Sequence, residues 1–545
     1  MNRADEPLAG GWRELAAVLL VSAALTAAMT YPIAFRMGTV GRVDNGDGQF
    51  SIWNVSWVAR TLVVDPRHVF DANIFYPHRG TLAYSESNLG AGALAIPVYW
   101  ATRNPYAALN FVVLLAFVAS ATGTYYLVRY LMRDRGAAAI AAIVFAFCPY
   151  VFAHTAHIQL MMTAGLPFSL LAFHRMADRP GPGRGSALGA VMAAQAICCG
   201  YYGVFDVLII GFAVIVFAAS RGLWLDRRYW ATVAVAAVVA MVLVAPAFLP
   251  YLSQGAGFRR ELDMATRYSA SWSDYLASSS HAHAWMLGFL PRWVEVSFPG
   301  FVAVILTIAG VVAARHERRR ELLALYGGLA VLACWASFGP KAGLYALLYK
   351  TVPLFAWLRA PARFGMVVDL ACAVLAGVGA SALLRRLPRP VLAAGAIALV
   401  ALGELNVELN MPEAKPVEDV YRVLALSPRG PVIEMPFFYL PEIFFRHTYY
   451  MLASTTHWMP LVNGYSDYMP PDFVDGVMTL APFPSRDAFK RLEPNHVRYA
   501  VFHMYWYNAE NARDVLARLK EFEPYLRPLY IDADTRLYEI VGYPP

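Results

Sequence analysis

The sequence predicts a mainly α-helical protein, a polytopic bundle of about eleven membrane-spanning helices followed by a small extracytoplasmic α/β domain. Two observations carry this prediction. Of the 545 residues, 58% are hydrophobic and only 15% are charged, whereas a soluble protein has about 25% charged residues. The apolar residues also form runs of about 20, the length that lets an α-helix cross the hydrocarbon core with its backbone polar groups satisfied.

The apolar runs define the predicted spans. They lie near residues 13–35, 105–130, 137–153, 158–177, 186–203, 204–220, 229–250, 298–314, 321–338, 364–384 and 389–407. The first run follows Arg3 and Arg13, and because many spans come after it we interpret it as a retained signal anchor. The run Leu89–Ala101 is too short to cross and is predicted to be re-entrant or interfacial.

The arginines predict the orientation of the chain. With this set of spans, the short basic loops all fall on the side of the N-terminus, as the positive-inside rule requires for the cytoplasm. These loops contain Arg133, Arg135, Arg175, Arg179, Arg184, Arg221, Arg227, Arg228, Arg315, Arg318, Arg319, Arg320, Arg385, Arg386 and Arg389. Counting Leu89–Ala101 as a span would put Arg133 and Arg135 on the opposite side and invert every later loop. We therefore predict a multi-pass membrane protein with a cytoplasmic N-terminus.

The same pattern explains the net charge of +7. The basic residues lie in short loops between spans, so a nucleic-acid partner is not predicted. The five cysteines all fall in apolar segments, which gives no disulfide framework and no zinc site.

Four segments are predicted to be extracytoplasmic: 36–104, 251–297, 339–363 and everything after 408. We divide the chain into a transmembrane domain, 1–407, and an α/β domain, 408–545. In the second domain, strand-like runs alternate with helix-like runs. The strands are expected at Pro431–Glu434, Tyr499–Phe502 and Leu537–Val541, and the helices at Asp487–Leu492 and Ala509–Phe522.

The first outer loop begins with an acidic turn, Asp44-Asn45-Gly46-Asp47-Gly48. Two carboxylates three residues apart can share a divalent cation (Mg²⁺ or Mn²⁺) or a sugar hydroxyl, or one of them can act as a general base. The alternative is an ordinary turn, which favours Asp, Asn and Gly for backbone reasons. Further along the loop, Glu86 follows several aromatic residues.

Other polar residues gather at the predicted outer ends of the spans. They are His154, His157, Gln159, Tyr201, Tyr202 and Asp369. An acid inside a span is costly, so Asp369 is a functional candidate. The structural alternatives are helix capping by the histidines, an interfacial aromatic belt, and pairing of Asp369 with Arg359 or Arg363.

Arginines of the outer loops are candidate phosphate ligands. Arg259, Arg260 and Arg267 lie in the second outer loop, and Arg359 and Arg363 lie in the third. Guanidinium groups suit a phosphate or pyrophosphate held at headgroup level. Ordinary contact with lipid headgroups explains them equally well.

Six segments together resemble a known family. They are GDGQFSIWNVSW (46–57), NIFYPHRGTLAYSE (73–86), NPYAALN (104–110), AHIQ (156–159), LRAPARF (358–364) and HWMPLVNGYSDYMPP (457–471). With the acidic motif in a long first outer loop, they resemble the GT-C superfamily of membrane glycosyltransferases. The similarity is to a bacterial branch labelled glycosyltransferase-like or YfhO-like, which implies a place in the bacterial inner (cytoplasmic) membrane.

The resemblance implies a reaction. GT-C enzymes take a sugar from a polyprenyl-phosphate-linked donor and transfer it, with inversion, to a glycan, lipid or protein acceptor. Asp47 matches the family's first-loop acid best and Asp44 second, as base or metal ligand. Glu86, His157 and Gln159 would line the cavity. The alternatives are a non-catalytic lipid- or polysaccharide-handling protein, such as a transporter or an assembly factor, and a degenerate scaffold that only binds glycolipid.

Overall fold

The protein is described by a computed structural model over residues 11–253, 260–316 and 320–545. The first twelve helices are α1 (Gly11–Met29), α2 (Gly46–Val64), α3 (Leu89–Thr102), α4 (Pro105–Met132), α5 (Arg135–Ala146), α6 (Pro149–Ala153), α7 (Ile158–Met161), α8 (Gly165–Asp178), α9 (Pro182–Cys198), α10 (Gly200–Arg221), α11 (Arg227–Ser253) and α12 (Leu262–Arg267). The next twelve are α13 (Ala284–Leu287), α14 (Phe301–His316), α15 (Arg320–Leu322), α16 (Gly328–Ser337), α17 (Leu344–Thr351), α18 (Gly365–Leu384), α19 (Pro390–Glu404), α20 (Asp419–Leu426), α21 (His447–Ala453), α22 (Pro471–Leu480), α23 (Arg486–Leu492) and α24 (Ala509–Glu521).

The four described strands form one mixed sheet near the C-terminus. They are β1 (Val432–Met435), β2 (Tyr499–His503), β3 (Leu526–Ile531) and β4 (Thr535–Ile540), in the order β1-β2-β4-β3. β1 runs parallel to β2, with Val432 opposite Tyr499, whereas β4 is antiparallel to both β2 and β3. The protein is therefore mainly helical with one small sheet, as the sequence predicts.

The chain divides into two compact units. Unit 1 comprises 1–37, 110–249 and 255–410, and unit 2 comprises 38–109, 250–254 and 411–545. The first outer loop thus folds together with the C-terminal segment. The domain boundary drawn at 407/408 from the sequence stays a prediction.

Six helical segments of the described residues are long and apolar enough to cross a membrane. They are Gly11–Met29, Pro105–Met132, Arg135–Ala153, Gly200–Arg221, Arg227–Leu252 and Pro361–Leu384. Other predicted spans are shorter or interrupted; 158–177, for example, is divided between α7 and α8. The count of eleven therefore stays a prediction. α3, over the disputed run at Leu89, has 14 residues and is about 21 Å long, less than a hydrocarbon core of about 30 Å.

A network of charges joins helix ends at one end of unit 1. Glu14, near the start of α1, accepts hydrogen bonds from Tyr125 and Arg129 near the end of α4 (2.7 and 3.1 Å) and from Arg135 at the start of α5 (3.0 Å). The start of α1 and the end of α4 therefore lie together. This arrangement fits the prediction that α3 does not cross, because one more crossing would separate them.

A second acid, Asp178, joins further helix ends at the same end of unit 1. Tyr130, on α4, donates to Asp178 at the end of α8 (2.6 Å). Arg221, at the end of α10, also binds Asp178 (2.9 Å) and binds Glu321 of α15 (2.7 Å). These are the helix ends whose arginines the sequence assigns to the cytoplasm. Which side of the membrane they face stays a prediction.

Two glycines let α14 and α18 approach closely in unit 1. A Cβ on Gly379 would lie 2.1 Å from the Leu306 carbonyl oxygen, and a Cβ on Gly310 would lie 2.0 Å from that of Leu375. Atoms cannot share this space, so only glycine permits the contact. Small residues at such crossings are typical of membrane helices, where association depends on close packing.

Unit 2 is held together by pairing between distant segments. The backbone N–H groups of Phe75 and Tyr76 donate to the carbonyls of Asn463 and Leu461 (3.1 and 2.8 Å). The Asn463 side chain in turn bonds the backbone of Glu434 in β1 (2.8 and 3.0 Å). Two of the segments that carry the family resemblance, 73–86 and 457–471, are therefore in contact.

We expect Gly379→Ala to destabilise unit 1 by about 1–3 kcal/mol, because the added methyl group must force α14 and α18 apart. The melting temperature in detergent, followed by circular dichroism, measures this. Gly211→Ala is the matched control, since its Cβ would meet no atom within 4 Å. An equal loss of stability in both variants would contradict the close approach.

Candidate functional site

The acidic turn lies at the start of α2 in unit 2. The Asn45 side chain caps the helix by accepting from the Gly48 N–H (2.8 Å). A Cβ on Gly48 would lie 1.9 Å from the Arg42 carbonyl oxygen, so the chain folds back on itself there. Gln49 fixes the turn by donating to the Val43 carbonyl (2.9 Å) and accepting from Thr448 (2.8 Å).

The two aspartates of this turn differ in their surroundings. Arg42 donates to both oxygens of Asp44 (2.8 and 3.0 Å), and this interaction lowers the pKa of that carboxyl. A lower pKa makes Asp44 a weaker base. Asp47 is exposed in the first turn of α2.

The donor set does not fit a carboxylate-bound divalent cation. Both Asp44 oxygens are occupied by Arg42. Among residues 11–253, 260–316 and 320–545, no group of three or more His, Cys, Asp or Glu side chains is placed to hold a metal ion. Mg²⁺ and Mn²⁺ need several oxygen ligands, so we derive no step through a metal.

Glu86 lies on a fixed segment of unit 2 and is half-buried. Its backbone carbonyl accepts from the Asn54 side chain (3.2 Å). The Tyr251 hydroxyl holds the flanking residues, because it donates to the Ser85 carbonyl (3.0 Å) and accepts from the Ser87 N–H (2.8 Å).

A histidine–glutamate contact lies in a polar cluster of unit 1, which we define as His154, Tyr201, Glu295, Arg359 and Arg363. His154 Nε2 lies 3.3 Å from Glu295 Oε1, and its Nδ1 lies 2.8 Å from the Tyr150 carbonyl oxygen. Burial raises the pKa of Glu295, but its interactions with His154 and with the Arg363 guanidinium outweigh burial and hold the pKa below its usual value. Glu295 is therefore a carboxylate in a sparsely hydrated site.

Asp274 positions Glu295. It is fully buried, and its Oδ1 accepts from the N–H groups of Val294 and Glu295 (2.8 and 2.6 Å). Its Oδ2 accepts from the N–H and hydroxyl of Ser271 (2.8 and 2.7 Å). Neither acid was predicted from the sequence. Asp274 stands in a serine-rich stretch and Glu295 follows Arg292 closely, so no sequence pattern marks either of them.

Arg363 stacks on an aromatic ring. Its guanidinium carbon lies 4.4 Å from the centre of the Tyr201 ring. The Tyr201 hydroxyl accepts from the backbone N–H of Arg359 (2.6 Å). Within the described part of the chain, no carboxylate lies within 4.0 Å of the Arg363 guanidinium and no hydrogen bond engages it. The cluster therefore presents a half-buried cation whose nearest partner is a π-face.

The remaining predicted site residues of unit 1 differ in their burial and in their hydrogen bonds. Tyr202 is fully buried and donates to the Leu160 carbonyl (2.9 Å), a structural role. His157 lies beside His154, with ring centres 6.1 Å apart, and Gln159 is half-buried. Asp369 is buried, and neither of its oxygens has a hydrogen-bond partner among the described residues.

Pairing of Asp369 with Arg359 or Arg363 is therefore not found in the described structure.

Arg260 is half-buried. Its backbone N–H donates to the Ala356 carbonyl (2.7 Å), and its backbone carbonyl accepts from the Tyr349 hydroxyl (2.8 Å). Arg259 lies outside the described residues.

The predicted site residues thus form two groups. Asp44, Asp47 and Glu86 belong to unit 2, and the others belong to unit 1. Their assignment to one functional site stays a prediction.

A third polar cluster, in unit 2, was not predicted. Fully buried His503 lies between Glu434 (3.0 Å) and Glu418 (3.5 Å). Burial would lower the pKa of His503, but the two acids raise it to about 9. In contrast, burial lowers the pKa of His447 to about 4 and that of His457 to about 3. Of these three buried histidines, His503 alone is charged at neutral pH.

Comparison with known proteins gives the class of fold. No family model and no curated protein matches the sequence. Among solved structures, the arabinofuranosyltransferase AftD from mycobacteria is 15% identical with a TM-score of 0.55, covering 99% of this chain and 42% of AftD. The Archaeoglobus fulgidus oligosaccharyltransferase is 14% identical (TM-score 0.49, covering 97% and 74%). ArnT from Cupriavidus metallidurans, bound to undecaprenyl phosphate, is 16% identical (TM-score 0.42, covering 98% and 100%).

The chain shares the fold of the arabinofuranosyltransferase AftD, which confirms the resemblance predicted from the sequence at the level of the fold. It spans about two fifths of the length of AftD. At this identity the likeness establishes the fold alone, and the activity has to be argued from the site.

We expect the stability of unit 2 to depend on pH through His503. Its pKa is about 9 in the folded chain and about 6.5 when unfolded. The stabilisation, on the order of 3 kcal/mol, is fully present below about pH 6.5 and is lost as the pH rises through 9. Melting temperatures between pH 6 and 10 should therefore fall more steeply for the parent chain than for His503→Gln.

His68→Gln is the matched control, because His68 is an exposed histidine paired with Asp65. It should keep the pH dependence of the parent. A His503→Gln profile parallel to that of the parent would show that His503 is not charged in the folded chain.

Proposed function

We propose that the chain is an inverting glycosyltransferase that takes its sugar from a polyprenyl-phosphate-linked donor. It acts at the extracytoplasmic face of the membrane on a glycan, lipid or protein acceptor. The fold shared with AftD, which is an arabinofuranosyltransferase, supports the reaction class. The apolar helices support a substrate with a lipid tail.

The half-buried cation Arg363 is the observation that carries the proposal. No carboxylate of the described residues pairs with its guanidinium group. The Tyr201 ring stacks on one face of that group, with the ring centre 4.4 Å from the guanidinium carbon. Taking a charged group out of water is costly unless a counter-charge is supplied. A phosphate fits, because the guanidinium can donate two parallel hydrogen bonds to it. The leaving lipid phosphate would supply that charge.

The proposed step balances as a single displacement. The acceptor hydroxyl attacks the anomeric carbon, and its proton passes to a carboxylate base. The bond from the anomeric carbon to the phosphate oxygen breaks on the opposite face, and the lipid phosphate leaves with the electron pair. Negative charge grows on that oxygen in the transition state, where Arg363 stabilises it.

We assign the base to Asp47 and not to Asp44. Arg42 holds both oxygens of Asp44 and lowers the pKa of that carboxyl, which weakens it as a proton acceptor. Asp47 is exposed at the head of α2. Glu295 is less suited to be the base, because His154 and Arg363 stabilise its charged form.

Asp47→Asn should lower the transfer rate by about 10²–10⁴, the usual contribution of a general base. Purified protein in lipid nanodiscs is incubated with radiolabelled polyprenyl-phosphate sugars, and product is separated from donor. Asp44→Asn should lose less activity, because Arg42 lowers the pKa of the Asp44 carboxyl and makes it a weaker base. Asp65→Asn, an exposed acid of the same unit, should be unchanged.

Full activity of Asp47→Asn would remove this residue from the mechanism. If the parent chain consumes no donor from a broad panel but still binds it, the protein is a glycolipid-binding scaffold. If the donor is neither consumed nor bound, the proposed function is wrong.

Arg363→Gln should weaken donor binding and slow transfer, together lowering kcat/KM by at least about tenfold, since one charge-assisted contact to phosphate is lost. Initial rates over a range of donor concentrations measure this. Arg292→Gln is the matched control, an exposed arginine of the second outer loop. Equal kcat/KM values for parent and Arg363→Gln would exclude a phosphate at this position.

A further inference from the structure

Unit 2 contains a cavity that the proposed chemistry does not use. Its volume is about 760 Å³, within the range of roughly 300–1,000 Å³ typical of small-molecule sites. Its wall comes from both the first outer loop and the C-terminal segment: residues 38–39, 60, 99–106, 414–421 and 449–458 contribute. Asp44 and Asp47 are not among the lining residues.

Arg60 is the central cation of this cavity. It projects from α2 and is half-buried, with its guanidinium carbon 5.6 Å from the centre of the Trp458 ring. No carboxylate of the described chain pairs with it. Burial lowers the pKa of Arg60, and the nearby charges of Arg429 and Arg103 lower it further. An anion in the cavity would relieve both costs.

Two more cations line the same wall. Arg103 lies at the end of α3 with a φ of 54°, a left-handed conformation that is rare outside glycine. Its guanidinium carbon lies 3.6 Å from the centre of the Trp100 ring. Lys415 is exposed, and in the described structure neither Arg103 nor Lys415 forms an ion pair. Three cations therefore line one cavity, and none of them forms an ion pair with a carboxylate of the described residues.

The cavity wall also offers a hydrogen-bond acceptor and flat aromatic rings. Glu418 accepts from the hydroxyls of Tyr449 and Tyr505 (2.5 and 3.0 Å). Burial raises the pKa of Glu418, but His503 and Tyr449 lower it below its usual value, so the group is a carboxylate. Tyr99, Tyr106, Tyr421 and Trp458 also line the cavity. Aromatic faces suit the apolar C–H surface of a sugar ring, and a carboxylate accepts from its hydroxyls.

We propose that this cavity binds a saccharide that carries a phosphate or a carboxylate group. Arg60, Arg103 and Lys415 hold the anionic group, the aromatic side chains contact the ring, and Glu418 accepts from its hydroxyls. A bare phosphate would use the cations but not Glu418, which repels it. A neutral sugar would leave the cations unpaired. Both features together select an anionic saccharide.

The test measures binding and not transfer, so its outcome is independent of the proposed function. The full chain is placed in phosphatidylcholine nanodiscs and titrated calorimetrically with glucose 1-phosphate, glucuronic acid and tetragalacturonate. Glucose and inorganic phosphate are the reference probes. At least one anionic saccharide should bind at least about tenfold more tightly than both references, a difference that one charge-assisted hydrogen bond supplies.

Arg60→Gln should weaken that binding by about tenfold or more. Lys415→Gln, at an exposed position that folding does not require, should weaken it severalfold. Arg67→Gln, an exposed arginine of the same unit, is the matched control and should leave it unchanged. Binding should persist in Asp47→Asn, whether or not that variant transfers sugar.

Three outcomes would overturn the proposal. In the first, none of the anionic saccharides binds. In the second, glucose or inorganic phosphate binds as tightly as the best anionic saccharide. In the third, Arg60→Gln and Lys415→Gln both bind that saccharide as tightly as the parent chain does. The titration is repeated in nanodiscs that contain phosphatidylglycerol. If the anionic lipid abolishes saccharide binding and Lys415→Gln restores it, the cavity is a lipid headgroup site and not a saccharide site.

Discussion

The buried side chain of Asn73 connects parts of unit 2 that lie far apart in the sequence. Its oxygen accepts from Trp53 Nε1 (3.0 Å), and its nitrogen donates to Ser454 Oγ and the Met459 carbonyl (3.0 Å each). Each buried polar group left without a partner costs about 1–3 kcal/mol. The first outer loop therefore completes its hydrogen bonding only with the C-terminal segment in place. The acidic turn, the Glu86 segment and the proposed saccharide cavity all depend on this association.

The sequence predicted local structure far better than distant contacts. Spans follow from apolar length, and strands β1, β2 and β4 lie within a residue or two of their predicted positions, because both patterns are local. β3 was missed since Arg527 and Pro528 interrupt the apolar alternation and the register shifts between Pro528 and Tyr530. The pairing of 73–76 with 461–463 crosses almost four hundred residues, and no periodicity marks such a partner.

For the candidate site, the sequence predicted which residue types are present better than the environment that folding gives each of them. The sequence identified Asp44, Asp47 and Arg363 from their positions after or before a span. The family resemblance ranks Asp47 above Asp44, but it gives no physical reason. The difference in their surroundings arises from Arg42, which folds back onto Asp44 over Gly48. The sequence also could not identify Glu295 or His503. Their charge states depend on partners brought by folding, namely His154 and Arg363 for one, and Glu418 and Glu434 for the other.

The composition of unit 2 has a consequence for biosynthesis. About 300 residues separate the end of the first outer loop at Leu109 from Met411, where the rest of the unit resumes. A ribosome needs roughly 15–60 s to make that length. During this interval Trp53, Asn73 and Phe75 lack the groups that bury them in the finished protein. The segment 38–109 is therefore open to proteases and to non-native contacts until synthesis is nearly complete, and its aromatic residues are the surface that a folding factor would need to shield.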